Sequence, residues 1–147
     1  MRILVQDAPF DLGTETTAFA AGRSDLGAIV TFTGLVRDLP GDPLEAMEIE
    51  HYPGMTEAAL AQIAQQAMTR FSLGDALVIH RYGRLAPGEM IMMVATAARH
   101  RKHAFEGAEF LMDFLKSRAP FWKREISASG DGWVAAKDAD EDALKRW

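Results

Sequence analysis

Two residue periodicities alternate along this 147-residue chain, and together they leave few folds open to it. Apolar residues recur at helical spacing at Leu60, Ile63, Ala64, Ala67, Met68 and Phe71, and again at Ala104, Ala108, Leu111, Met112 and Leu115. Around them lie short apolar or β-branched runs that read as strands: residues 2–6, 27–33, 44–50, 76–80, 90–97 and 121–127. Within 44–50 apolar and polar residues alternate, so one face is expected to be buried and the other wet. Pro53-Gly54 breaks the chain before the first long helix, with Thr56 as its expected N-cap. Pro120 must end the second, because it cannot continue a helix and biases its predecessor to extended backbone. Residues 37–43 carry loop chemistry, residues 84–89 hold a turn at Pro87-Gly88, and Asp131-Gly132 is expected to turn the chain before Trp133. Short helices are expected over 14–21 and 138–147. The runs 76–80 and 90–97 are expected to form a hairpin-like pair. Helices that interrupt hairpin-linked strands predict an α+β fold with a largely antiparallel sheet. No linker or composition break divides the chain, so residues 1–147 are expected to form one domain.

Composition narrows the chemistry. There is no cysteine, which excludes disulfides, thiolate metal sites and a persulfide carried on this chain. If the reaction moves sulfur, the sulfur must arrive on something else. No stretch reaches the ~20 apolar residues of a membrane span. The first residues turn polar too soon for a signal peptide, so a cytoplasmic location is the default expectation. Between Arg99 and Arg124 seven cations stand against three acids, a net +4; with −5 overall, the remainder carries −9. A basic island on an acidic protein points to a local site for an anionic ligand and against general nucleic-acid binding.

Several side chains could serve such a site. Lys116 stands near the end of the second helix, and Lys123 lies seven residues on, past Pro120. A lysine that is partly desolvated beside another cation loses some of its preference for the charged state and can act as acid, base or nucleophile. From spacing alone the plainer reading, two solvated surface lysines, is favoured. His100-Arg101 falls at a strand-to-helix junction, where free N–H groups, the helix dipole and a guanidinium favour phosphate. The plain alternative there is a histidine at a helix entrance beside a solvent-facing arginine. Arg37 opens a Pro/Gly loop and is either a cleft residue or an exposed one. The four histidines lack ligand spacing and a cysteine partner, so no metal site is expected and structural roles are favoured. Phe121, Trp122 and Trp133 can stack on a heterocycle, with core packing the expectation for at least one.

Beyond these readings, several strings lie in one order along the chain. They are Thr31-Phe32-Thr33-Gly34-Leu35-Val36-Arg37, Glu50-His51-Tyr52-Pro53-Gly54-Met55, His80-Arg81-Tyr82-Gly83, His100-Arg101 with Ala104-Phe105, and Ala119-Pro120-Phe121-Trp122-Lys123-Arg124-Glu125. From about Gly27 to Trp147 the chain resembles the molybdopterin synthase catalytic subunit family. The resemblance implies an α+β fold of the α/β hammerhead kind and sulfur transfer to cyclic pyranopterin monophosphate. It implies no metal and no bound cofactor. It implies a small ubiquitin-like partner whose C-terminal glycine carries a thiocarboxylate, and a homodimer of this chain at the centre of a heterotetramer. By matching position, Lys116 and Lys123 are expected to be catalytic, and Arg37, His100 and Arg101 to hold the pterin phosphate. Arg124 and Glu125 are expected to line the same pocket. Lys137 stands where the family is expected often to have arginine, a residue that could reach a neighbouring protomer's site. Two other readings are kept beside this one: a non-catalytic anion-binding domain, and a Schiff-base lysine enzyme acting on a sugar phosphate.

Overall fold

Two apolar runs, 76–79 and 91–95, have no polar residue facing water, because both of their faces are covered. A computed structural model describes the whole chain, Met1–Trp147. The strands are β1 (Arg2–Gln6), β2 (Ala28–Leu35), β3 (Leu44–His51), β4 (Asp75–Arg81), β5 (Gly83–Leu85), β6 (Met90–Ala98), β7 (Phe121–Ser127) and β8 (Gly130–Trp133). The helices are α1 (Leu12–Ala20), α2 (Met55–Phe71), α3 (Arg101–Arg118) and α4 (Asp138–Leu144). The fold is α+β, as expected, but the strands divide into two four-stranded sheets, ordered β1-β4-β6-β2 and β5-β3-β7-β8. All pairings are antiparallel except β1 with β4. The expected pairing of the runs 76–80 and 90–97 is the antiparallel β4–β6 ladder.

Alternation along β4 and β6 sends Val78, Met92 and Val94 into one core with Leu60, Ala64, Phe71, Phe110 and Leu111 of α2 and α3. Leu77, Ile79, Met93 and Ala95 point the other way, against Phe10, Leu12 and Phe19 from α1 and its approach. The larger core continues into Leu44 and Ile49 of β3 and Leu85 of β5, so it joins the two sheets. No helix is long and apolar enough to cross a membrane.

Three local expectations are corrected. Thr56 is not the cap of α2: Gly54, at φ 83°, holds that position, and its N–H donates to the Glu57 carboxylate at 2.6 Å. The Thr56 hydroxyl is buried in the first turn and accepts from the Tyr52 N–H at 3.1 Å. The turn after β7 falls at Ala128-Ser129, not at Asp131-Gly132. There Ser127 and Ser129 hydroxyls both donate to the Asp42 carboxylate, at 2.7 and 2.6 Å, and pull the chain round three residues early. The short first helix starts at Leu12, its cap being Asp11, whose carboxylate accepts from the Thr14 N–H at 2.7 Å.

The entrance to α3 depends on a close backbone approach. A Cβ at Gly27 would stand 2.6 Å from the Arg99 carbonyl oxygen. Since backbone cannot yield as a side-chain tip can, Gly27→Ala is expected to cost about 1–3 kcal/mol in urea unfolding. The chain around His100 is expected to shift with it.

Candidate active site

The site begins where α3 ends. Pro120 stops the helix; Ala119 before it is extended (φ −74°, ψ 132°), and the Phe121 N–H donates to the Ala119 carbonyl at 2.8 Å. The chain then runs into β7, which pairs along the whole of β3 with Lys123 opposite Ile49 and Phe121 opposite His51. Lys116, on the last turn of α3, and Lys123, on β7, are thereby brought close enough to repel. Burial first, and then the Lys116 ammonium, push Lys123 below the ordinary lysine range, while Asp140 pulls it part of the way back. Lys116 is exposed and stands 3.7 Å from the Asp140 carboxylate. Lys123 is half-buried and has no carboxylate within ion-pair distance.

Beneath Lys123 lies an aromatic cluster that joins the two sheets. The His80 ring stacks on Phe121 at 3.7 Å and 16°, and His51 packs on Tyr82 at 4.4 Å. His80 Nδ1 is 2.8 Å from the Arg81 carbonyl, so that nitrogen carries the proton and donates it. Burial, reinforced by the charge of Lys123, lowers the His80 pKa to about 3. The imidazole is neutral at neutral pH. Neither His51 nor His80 belongs to a group of three possible metal ligands. In the sequence His80 stands out only within the string His80-Arg81-Tyr82-Gly83, which carries no role for it.

The cations expected to share one pocket separate into two groups. His100 is the N-cap residue of α3 and Arg101 its first residue, both exposed, and no side chain caps that end. Fifteen residues of continuous helix separate Arg101 from Lys116, roughly 22 Å along the axis. One copy of the chain therefore does not gather the basic island into a single cavity. Arg37 lies at the other end of β2, beyond Leu35, which pairs with Met90, whereas Ala28 pairs with Ala98 beside the α3 entrance. As α3 runs back along β6, Arg37 shares the end of the molecule that holds Lys116 and Lys123.

Pairing sorts the cations further. Arg124 is ion-paired with Glu48 and with Asp131, the latter at 3.2 Å, and its guanidinium lies 5.7 Å from the centre of the Trp133 ring. On a strand, successive side chains face opposite ways, so Arg124 faces away from Lys123. Arg124 thus belongs to a charge ladder across the second sheet rather than to the lysine site. Glu125, two residues after Lys123, is on the lysine face, half-buried and without an ion pair. Arg118 is forked to Glu141 at 2.6 and 3.1 Å. Arg37, Arg101, Lys123 and Lys137 form no ion pair with the chain's own carboxylates, so each is free to meet an outside anion. Lys137 is exposed at the start of α4. Of the aromatic candidates, Phe121 packs in the core while Trp122 and Trp133 remain exposed.

Comparison with known proteins agrees with this architecture. Residues 5–118 match the family described as MoaE protein. The molybdopterin synthase catalytic subunit of Cereibacter sphaeroides is 69% identical over all 147 residues, covering 100% of both chains. The chain belongs to the MoaE protein family. A solved MoaE protein from Burkholderia ambifaria superposes with a TM-score of 0.86 at 49% identity, over 99% of this chain and 97% of that one. A molybdopterin synthase structure from Staphylococcus aureus superposes at 0.83 with 29% identity, over 90% and 96%. The match to the MoaE family ends at the last turn of α3, so β7 and α4, which complete the lysine site, lie beyond the family-matched segment.

Neutral His80 makes folding pH-dependent. Its folded pKa is depressed to about 3 from the ordinary 6.5, so between these values only the unfolded chain takes up the proton, and stability falls as pH drops below 6.5. His80→Gln removes this term. Urea unfolding is therefore expected to show the wild-type advantage over the variant shrinking by about 2 kcal/mol between pH 7.5 and 5.

Proposed function

We propose that this chain is the catalytic subunit of a molybdopterin synthase. It transfers sulfur from the thiocarboxylated C-terminal glycine of a small ubiquitin-like partner to cyclic pyranopterin monophosphate, forming the dithiolene of molybdopterin in the cytoplasm. The whole chain acts as one domain. The carrying observation is the pair of lysines at the α3–β7 junction, one exposed and one desolvated, in a family whose curated relatives bear this name. The lack of cysteine supports it, since the sulfur then comes from the partner.

In this reading the thiocarboxylate sulfur attacks the pterin side chain. Lys123 exchanges protons and Lys116 stabilises the negative charge that develops. Arg37, His100, Arg101 and Lys137 serve the substrate's phosphate, and Glu125 lines the pocket. The length of α3 then requires a second copy of the chain, because Arg101 of one copy is farther from Lys116 than a pterin monophosphate reaches. The edge strand β2 suits such a dimer: Ile29, Phe32 and Leu35 are exposed along it, and its outer edge has no partner. Antiparallel pairing of two β2 edges about a two-fold axis would lay His100 and Arg101 of one copy beside Arg37 of the other.

Lys116→Ala, mixed with thiocarboxylated small subunit and the pterin, is expected to form dithiolene at least about a hundredfold more slowly. Near-normal product formation overturns the assignment. Lys116→Ala and Arg101→Ala chains are each expected to be inactive alone. Re-associated in equal amounts, they should recover about a quarter of wild-type activity, since half the dimers then hold one intact site. No recovery on mixing would place the arginine elsewhere.

A further inference from the structure

The C-terminal segment lies on the lysine site. The Ser117 hydroxyl donates to the Asp140 carbonyl at 3.1 Å, and Arg118 grips Glu141 through two hydrogen bonds. Farther on, Arg146 and the Trp147 indole N–H both donate to Asp113, at 2.8 and 2.6 Å. Trp147 also packs against Phe71 and Phe110, each ring 5.5 Å away centre to centre. These contacts hold α4 in place without help from the Asp140 side chain. That carboxylate is nonetheless partly covered and directed at Lys116, its Oδ1 3.7 Å from Nζ, in the only ion pair that either lysine makes. An exposed pair of this kind adds little to stability. Its effect is on where the Lys116 side chain stands.

We propose that Asp140 is a positioning residue of the lysine site: its carboxylate holds the Lys116 side chain in place beside Lys123, so that the two amines take different parts in the reaction. The inference rests on the sulfur-transfer reading above. The groups facing the pair are Asp140 from α4, His80 from β4 and His51 from β3. Glu125 of β7 shares the lysine face, but His80 is neutral at working pH and Asp140 is the carboxylate in ion-pair contact with the pair. Two ammonium groups near enough to repel do not titrate independently. Asp140 is in contact with Lys116, while burial and Lys116 both outweigh it at Lys123. The outcome is one amine held against a carboxylate, placed to stabilise developing negative charge, and one desolvated amine able to exchange a proton.

The test uses Asp140→Asn in the assembled complex with the small subunit. Lysine Nζ resonances are followed against pH without substrate, and the pH dependence of kcat is followed with it. Lys123 is expected to lose its proton at lower pH, since Asp140 holds its pKa up in the wild type. The kcat profile should move acidward by about half to one unit while KM changes less. Asp140→Glu should restore both readouts. Glu141→Gln, which cuts the Arg118 fork but leaves the lysines untouched, should leave the profile in place. An unchanged titration in Asp140→Asn, or an equal shift in Glu141→Gln, overturns the inference. Normal turnover by Lys116→Ala would instead sink the sulfur-transfer reading, and the substrate-free titration would still report on Asp140.

Discussion

Two like charges meet at one turn because Pro120 gives the chain no other course. A helix that continued past Arg118 would carry residue 123 onward along the axis and away from Lys116. With Ala119 extended, the chain reverses into β7, and the ladder with β3 fixes where each residue of that strand stands. Apolar contacts hold the turn against the repulsion. Leu115 is buried one residue before Lys116, and Phe121 is clamped against His80 two residues before Lys123. The lysines are thus carried on anchored neighbours. Their mutual repulsion is small beside the burial that anchors them, which is how a fold can hold an unfavourable electrostatic arrangement at a functional site.

The acidic balance of the chain acts selectively. Glu48 and Asp131 neutralise Arg124, Glu141 neutralises Arg118, and Asp113 and Glu109 neutralise Arg146. Each of these pairs ties separate elements together, so those cations serve the architecture. Six arginines and lysines are left without a carboxylate: Arg37, Arg70, Arg99, Arg101, Lys123 and Lys137, with Arg37 and Lys123 at one end and Arg99 and Arg101 at the other. An anion approaching a protein of net charge −5 is repelled by most of its surface and drawn to these places. The net charge therefore sharpens the preference for the site over the rest of the molecule.

What the sequence disclosed follows the range of each signal. Pro120, the strand over 121–127 and the helical stripe from Ala104 to Leu115 are local patterns, and the elements lie where those patterns place them. The pairing of Arg124 with Glu48 was hidden, since the partner is 76 residues away and only the β3–β7 register brings them together. The cap and turn departures have the same origin: Thr56 and Asp131 are sound choices locally, but the Tyr52 amide and a distant Asp42 carboxylate determine what happens. The separation of Arg101 from Lys116 is a different matter. It was legible in the length of the helix, because an uninterrupted apolar stripe implies a straight rod. Closeness in sequence had stood in for closeness in space. The dependence of Lys116 on Asp140 could not be read, because the seating of α4 on α3 is set by tertiary contacts through Ser117, Arg118 and Asp113.

The identity of residue 80 follows from the same electrostatics. Phenylalanine there could stack on Phe121, yet it would leave the Arg81 carbonyl without the N–H that His80 supplies in a buried setting. A permanent cation could donate that hydrogen bond but would add a third positive charge beneath Lys123. A neutral imidazole meets both demands, donating through Nδ1 while remaining uncharged because burial and Lys123 both oppose its protonation. Its neutrality in turn limits how far Lys123 is perturbed. The amine feels desolvation and one neighbouring ammonium, not two. His80 therefore adds no charge of its own around neutral pH, and Lys123 stands over a neutral ring while it exchanges a proton.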